Sequence, residues 1–462
     1  MKKYELLYGR IRDRISKGSL AAGERMPSVR EEAELSGVSI NTVIKAYELL
    51  MDEGYVRSRE RGGFYVRKGG AAPYEGGIGT AGPTPEICFA RAKETGERLD
   101  QLYERLLHID ASFASAAPDL DILPVRELRR ISRELTTSWM EYGYVEGDLP
   151  LRRRIALDRE DWDGPTVADD IVVTNGSTEG LSLILRALLE PGDRVILESP
   201  TYMNYFRQLA PLNAEICEIP VGDDGIDLDM LEAELRKRPA KMILAQPNVQ
   251  NPTGITMPDA AKKALAGLAE RYGAFLVQDD VYGDLSFGAV RPANLSSFSD
   301  SPLILQVSSY SKSIAPGLRI GWIRSPRYAA RLTEEKLRLS MDAPRFSQSL
   351  LAEYVGSQSH RRHLRTIGKA LQRRLDEYIA RLSEILPAGS FVRRPSGGCL
   401  LWINYPGGTD GARIFERAAE RGLIAAPGAL FSASPQYDHC IRLNGGMKLT
   451  AERSRTLDLL AG

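Results

Sequence analysis

Residues 308–322 read Ser308-Ser309-Tyr310-Ser311-Lys312-Ser313-Ile314-Ala315-Pro316-Gly317-Leu318-Arg319-Ile320-Gly321-Trp322. An apolar run, Leu303 to Val307, leads into them as a strand would. One lysine then stands among small hydroxylated residues, and an arginine follows seven positions later. A reactive amine and an anion clamp therefore share one loop. The amine of Lys312 can condense with an aldehyde, while Arg319 and the hydroxyls of Ser309 and Ser311 suit a phosphate. A serine-rich loop before a Pro-Gly turn is also an ordinary strand exit, so companion motifs must decide.

Those companions lie upstream, where short apolar strands alternate with helical patterns. Ile171-Val172-Val173, Arg194 to Leu197, Met242-Ile243-Leu244 and Phe275-Leu276-Val277 are separated by helical stretches at 178–189, 201–210 and 258–271. Such alternation predicts an α/β body with a mainly parallel sheet covered by helices, whose ligands bind beyond the carboxyl ends of the strands. Each motif falls at such an end. Asn175-Gly176-Ser177-Thr178-Glu179-Gly180 turns from strand to helix, so Ser177 and Thr178 can cradle a phosphate on a positive helix end. Glu198-Ser199-Pro200-Thr201-Tyr202 places an aromatic ring where it can stack on a flat heterocycle. Gln246 to Gly254 is a loop fixed by two prolines and a glycine that presents Asn251, whose amide suits a phenolic oxygen. In Val277-Gln278-Asp279-Asp280-Val281-Tyr282 a strand ends on a carboxylate that can keep a pyridine nitrogen protonated, and Tyr282 can share the ring oxygen with Asn251. Together with Lys312 these point to pyridoxal 5'-phosphate. Adjacent aspartates also suit a metal, but no further ligands cluster near them.

The chain has 462 residues, which suggests two or three domains, and its 43% hydrophobic and 26% charged content is that of a soluble globular protein. Lys+Arg and Asp+Glu both total 61, so no overall field announces nucleic acid or membrane. Residues 1–68, however, hold 14 basic against 10 acidic side chains, a modestly basic head on a modestly acidic body. The four cysteines show no CxxC spacing, and His360-Arg361-Arg362-His363 reads as a solvated helix face. No metal site or disulfide framework is expected. Without a secretory signal or a long apolar run, the expected location is the cytoplasm, with no membrane partner.

In the head, Tyr4, Leu7, Ile11 and Ile15 recur at helical spacing, and Pro27-Ser28-Val29-Arg30 starts a second helix that ends at Ser36-Gly37. Ser39 then caps a third, with Val43, Ala46, Tyr47 and Leu50 on one face. Two helices joined by a short turn with Gly have helix-turn-helix spacing. Tyr55-Val56-Arg57 and Phe64-Tyr65-Val66 flank a tip, Arg61-Gly62-Gly63, as a hairpin wing. Residues 69–110 read as a linker, rich in Gly and Pro at 68–83 and helical at 86–107, and 111–462 as the body.

The head resembles the GntR superfamily of winged helix-turn-helix repressors, on Gly23, Met26 to Arg30, Val38 to Val43, Ala46, Leu49, Gly54-Tyr55 and Gly63. The resemblance implies that Arg30, Ser39, Asn41 and Thr42 contact double-stranded operator DNA, with Lys45 adding charge and the wing tip, Arg61 and Gly62, entering the minor groove. Ile40 and Ile44 stand where the family often has arginine. The body, over about residues 112–450, resembles the fold-type I aminotransferases, with a smaller C-terminal subdomain implied. Carried over by position, Lys312 is the catalytic lysine that bonds the cofactor aldehyde and Asp279 the pyridine partner. Asn251 and Tyr282 meet the ring oxygen, Ser177, Thr178, Ser309 and Arg319 hold the phosphate, and Tyr202 stacks. In Cys440-Ile441-Arg442-Leu443, Arg442 clamps a substrate or effector α-carboxylate. Ala116-Ala117-Pro118-Asp119 carries alanine where that family commonly has glycine. A GntR head on such a body resembles the MocR subfamily of bacterial regulators. It implies a homodimeric transcription regulator that uses pyridoxal phosphate and senses an amino acid, an amine or pyridoxal phosphate itself. The alternatives are a working aminotransferase with an incidental head, and a binding module that has lost the cofactor.

Overall fold

The computed structural model describes residues 3–16, 20, 24–52, 55–59, 63–66, 86–107, 113–288 and 290–461. The chain divides into two compact units, Met1–Gly77 and Ile78–Gly462. Among the described residues no helix is long and apolar enough to cross a membrane, and all four cysteines are free thiols.

The head has helices at Lys3–Ser16, Val29–Ser36 and Ile40–Asp52, then strands β1 (Val56–Arg59) and β2 (Gly63–Val66). Ser28 and Glu31 cap the second helix reciprocally: Ser28 Oγ accepts the Glu31 N–H at 3.3 Å, and the Glu31 carboxylate accepts the Ser28 N–H at 2.7 Å. Gly37 ends that helix at φ 61, a conformation that costs a side-chain-bearing residue strain. Ser39 caps the third helix by accepting the Thr42 N–H at 3.2 Å. Leu7, Ile11, Met26, Val43, Ala46, Tyr47 and Leu50 are buried together with Val56 and Val66. Tyr47 joins the parts, meeting Phe64 edge-on at 4.9 Å and donating to the Pro27 carbonyl at 3.0 Å. Helices and wing therefore share one core.

The body is built on a large sheet of β3 (Cys88–Arg91), β4 (Ile171–Thr174), β5 (Arg194–Ser199), β6 (Glu215–Gly222), β7 (Gly225–Ile226), β8 (Met242–Ala245), β9 (Phe275–Asp279), β10 (Ile304–Ser309) and β11 (Gly321–Arg324). Its order is β3-β6-β5-β8-β9-β10-β11-β4, with β7 on β6. From β6 to β10 the pairing is parallel, and β11 runs back antiparallel between β10 and β4. Strands β4, β5, β8 and β10 are buried along their whole length, which is why they read as unbroken apolar runs rather than alternating ones. The sheet order brings the carboxyl ends of β4, β5, β8, β9 and β10 to one edge.

Two features differ from a plain strand-helix alternation. Strand β11 follows β10 as a hairpin, so the loop 310–320 is a turn held between two central strands. Residues 88–107, which fall within the stretch read as linker, form β3 and the helix Ala92–Leu107, and β3 pairs antiparallel with β6. Leu99 of that helix is buried with Phe206 and Leu209. The Gly- and Pro-rich residues 68–83 lie outside the described residues.

A smaller antiparallel sheet, ordered β12-β13-β15-β14, contains β12 (Phe391–Arg393), β13 (Leu400–Asn404), β14 (Ala426–Pro427) and β15 (Cys440–Asn444). Leu401, Ile403 and Leu443 pack on Leu375, Tyr378 and Leu382 of the long helix Gln358–Ile385. The expectation of a solvated face at His360 and His363 is overturned on this helix. His360 is fully buried among Tyr310 and Tyr354, with Nδ1 accepting the Gly356 N–H at 3.2 Å. His363 Nε2 lies 2.7 Å from the Ser313 carbonyl, inside the lysine loop. Arg361 and Arg362 between them are not buried, so the charge pattern described only half of the helix circumference.

Candidate functional site

Strand β4 ends at Thr174, and Gly176 at φ 83 turns the chain into the helix Ser177–Leu188. A Cβ on Gly176 would come within 2.5 Å of Arg319 Nη2, so only glycine lets that guanidinium stand over the first helical turn. Arg319 donates to the carbonyls of Asn175 at 3.2 Å and Pro316 at 3.1 Å, and to Ser311 Oγ at 3.4 Å. Ser309 Oγ lies 2.8 Å from Ser311 Oγ and 3.0 Å from the Ile320 carbonyl, and accepts the Ser311 N–H at 3.1 Å. The amides of a helix N-terminus, two serines and a guanidinium thus meet around Ser177 and Thr178, an arrangement suited to a phosphate.

A cavity beside this turn is lined by Ser177, Thr178, Tyr202, Tyr205, Val277 and Asp279. Asp279, the last residue of β9, faces it and is ringed by donors: Gln246 Nε2 at 2.9 Å, Tyr205 Oη at 3.0 Å and the Val281 N–H at 3.2 Å. Burial still dominates and pushes its carboxyl up to about 6, against the pull of those hydrogen bonds. Lys312 reaches in from the β10–β11 turn, with Nζ 6.0 Å from the Tyr282 ring centre. Removal from water lowers its pKa below the ordinary lysine value; Arg442 and Arg319 add to this, while Cys399 and Asp279 oppose it. Tyr202 meets Tyr205 edge-on at 5.5 Å.

On the other side, Arg442 in the middle of β15 is buried against Phe431 and donates to Asn251 Oδ1 at 3.2 Å. It also donates to the Ala114 carbonyl. Three neighbouring carbonyls are held as well: Phe113 by the Asn444 N–H at 2.8 Å, Ala116 by Tyr282 Oη at 2.8 Å, and Ala117 by Asn444 Nδ2 at 2.9 Å. Residues 113–117 therefore form a strap across Arg442 and Tyr282. Asn251 itself is buried and takes its N–H to Gln246 Oε1 at 2.9 Å.

Gln246 and Tyr205 were not singled out by the sequence reading, although both touch Asp279. Their part becomes visible only in the folded chain: β8 pairs with β9, setting Ala245 opposite Gln278, and Gln246 just after it donates to Asp279, while Tyr205 reaches the same carboxylate from the helix that follows β5. Also unforeseen is the support beneath the lysine loop. Arg159, fully buried, grips Asp284 with two hydrogen bonds at 2.6 and 2.7 Å, and Arg291 bridges Asp284 to Asp280. Arg159 and Arg291 hold the Asp284 carboxyl far below the usual range despite its burial. Asp280 is thus committed to an arginine, and among the described residues no group of three or more His, Cys, Asp or Glu could hold a metal ion.

In the head, Arg30, Ser39, Asn41 and Lys45 are exposed. Ser39 Oγ and Thr42 Oγ1 are 2.8 Å apart, and Lys45 Nζ lies 5.6 Å from the Tyr4 ring centre. Arg61 and Gly62 of the expected wing tip lie outside the described residues.

One amine with a lowered pKa, one carboxylate among donors and one anion cradle, all at strand ends of this sheet, define an aminotransferase-like body of the pyridoxal phosphate type in a chain that also carries a winged helix-turn-helix. Comparison with known proteins agrees with both parts. The family described as aminotransferase class I and II matches residues 112–456, and that of bacterial regulatory proteins, gntR family, matches residues 3–66. The uncharacterized HTH-type transcriptional regulator YjiR of Escherichia coli (strain K12) is 34% identical over 461 residues, covering 97% of this chain and 96% of its own. The probable rhizopine catabolism regulatory protein MocR of Rhizobium meliloti is 26% identical over 91% of this chain and 85% of its own. Among solved structures, the α-aminoadipate aminotransferase LysN of Thermus thermophilus, complexed with N-(5'-phosphopyridoxyl)-L-leucine, superposes with a TM-score of 0.71 at 27% identity, covering 80% of this chain and 95% of its own. The chain belongs to the MocR-like HTH-type regulators, in which a gntR-type head precedes an aminotransferase class I and II body.

Proposed function

We propose that this protein binds operator DNA through its head and changes transcription when an amino acid or amine occupies a pyridoxal phosphate site in its body. The observation that carries the reading is the convergence of Lys312, Asp279, Arg319 and Arg442 in a chain that also has a winged helix-turn-helix. When bound, pyridoxal phosphate supplies an aldehyde that takes up primary amines and a ring that withdraws electrons. Lys312, its pKa lowered by burial, is the amine that would hold the aldehyde. Asp279 would hold a proton on the ring nitrogen, and Gln246 and Tyr205 keep its carboxylate aimed there. Asn251 and Tyr282 flank the ring oxygen, Tyr202 covers the ring, and Ser177, Thr178, Ser309, Ser311 and Arg319 hold the phosphate. Arg442 takes the carboxylate of an amino-acid effector. In the head, Arg30, Ser39, Asn41, Thr42, Lys45, Arg61 and Gly62 contact DNA. A homodimer in the cytoplasm is the working form. The exposed run Met140, Tyr142 and Tyr144 supports a second copy covering that face.

Borohydride reduction and peptide mapping should place a pyridoxyl group on Lys312, and amino acids or amines should shift the affinity for promoter DNA in a binding titration. Rapid turnover of such a compound to a keto acid with no change in DNA affinity would overturn the proposal in favour of an aminotransferase.

A further inference from the structure

The helix Ile40–Asp52 turns two isoleucines outward. Val43, Ala46, Tyr47 and Leu50 fill the core of the head, whereas Ile40 is 47% exposed and Ile44 is 38% exposed. Spaced i to i+4, they lie one above the other on the first two turns, and exposed Asn41 and Lys45 adjoin them. Core packing does not ask for isoleucine at these positions, and helix propensity favours unbranched residues there. Exposed Arg30 lies on the preceding helix.

We infer that Ile40 and Ile44 read thymine methyl groups, and that the operator therefore carries T·A pairs where this helix enters the major groove. The inference rests on the proposed DNA-binding function. An isoleucine has no donor or acceptor and cannot discriminate bases by hydrogen bonding; the thymine 5-methyl is the apolar feature of the major-groove edge. Asn41, between the two, has an amide that matches the N6 and N7 edge of adenine. Ser39 Oγ and Thr42 Oγ1, 2.8 Å apart, and the Thr42 N–H on Ser39 Oγ at 3.2 Å fix the first turn that presents them.

The test uses the full-length protein to select duplexes from a random-sequence DNA pool. The selected duplex should be rich in T·A pairs at its conserved positions. Replacing one contacted thymine by uracil, which removes only the methyl, should weaken binding about fourfold, the factor that ~0.8 kcal/mol per buried carbon corresponds to. Ile44→Ala should weaken binding to the thymine duplex by a similar factor, and should lose much less on the uracil duplex, with the salt dependence unchanged. Salt-dependent, selective binding that is indifferent to uracil at every position, or to both Ile40→Ala and Ile44→Ala, overturns the inference and leaves the DNA-binding reading standing. Absence of any selected duplex and of salt-dependent binding overturns that reading and the inference with it. A change of oligomeric state in the Ile→Ala variants, seen by sedimentation without loss of thymine preference, assigns the pair to contacts between copies and also overturns it.

Discussion

Replacing Asp279 by Asn should make the cofactor-free protein more stable, and more so at pH 8 than at pH 5. Burial raises the Asp279 carboxyl to about 6 from its ordinary value of 3.8. A raised carboxyl pKa means that the folded state binds the proton more tightly than the unfolded state. Stability is therefore full below the unfolded pKa and is lost as pH rises through the folded one. A shift of about two units corresponds to ~3 kcal/mol lost at pH 8, of which roughly half is already lost at pH 5. Asn avoids that charge but gives up a carboxylate oxygen among the Gln246, Tyr205 and Val281 donors, at ~1 kcal/mol. The net gain at pH 8 is ~2 kcal/mol. With ~2.1 cal/mol/K of unfolding entropy per residue across the body, this raises the melting temperature by roughly 2–3 °C. The assay is thermal denaturation of protein stripped with hydroxylamine, wild type against variant, at pH 5 and pH 8, together with the cofactor content of the unstripped protein. The variant should gain stability and lose pyridoxal phosphate. A gap that is equal at the two pH values, or a variant less stable at pH 8, refutes the reasoning that Asp279 is held charged against its environment for the sake of the ring.

Arg30→Ala should weaken binding to promoter DNA and lower the slope of log affinity against log salt by about one, with cofactor content unchanged. Arg442→Ala should remove the effect of an amino-acid effector on DNA affinity, a coupling of about 1–3 kcal/mol, and equally the effect of DNA on effector affinity, since linkage is reciprocal; titrations in both directions check this. Asp284→Ala should leave Arg159 and Arg291 as buried cations deprived of a shared partner and destabilise the body by ~3–5 kcal/mol, read from the midpoint of urea denaturation.

The strand ends were legible because each carries residues that a fully buried sheet strand cannot use: Asn175, Asn251, Asp279 and Lys312 follow closely on apolar runs. The cap at Ser39 was legible for a related reason, since Ser39 and Thr42 are local in sequence. What escaped depends on which strands become neighbours. Tyr205 and Gln246 reach Asp279 across the sheet order, and Arg159 meets Asp284 from 125 positions away. Strand β3 was hidden because it is short and lies at a sheet edge, half-exposed, with the alternation of Cys88 and Ala90 inward against Phe89 and Arg91 outward. His360 and His363 were misplaced because the arginines between them dominate the local pattern, whereas burial is set by the lysine loop packed against the other side of the helix.

If the body senses amino acids and amines as proposed, the strap at 113–117 would give the site an unequal response to the two. Arg442 is already engaged by the Ala114 carbonyl and Asn251 Oδ1, so a carboxylate that took those guanidinium nitrogens would perform an exchange, and its apparent affinity would report the difference between two partners. An amine without a carboxylate would ask nothing of Arg442 and would leave the strap seated on Tyr282 and Asn444. Two compounds that loaded the same lysine end equally well would therefore leave the opposite end in different states, one with Ala114 retained and one with it released.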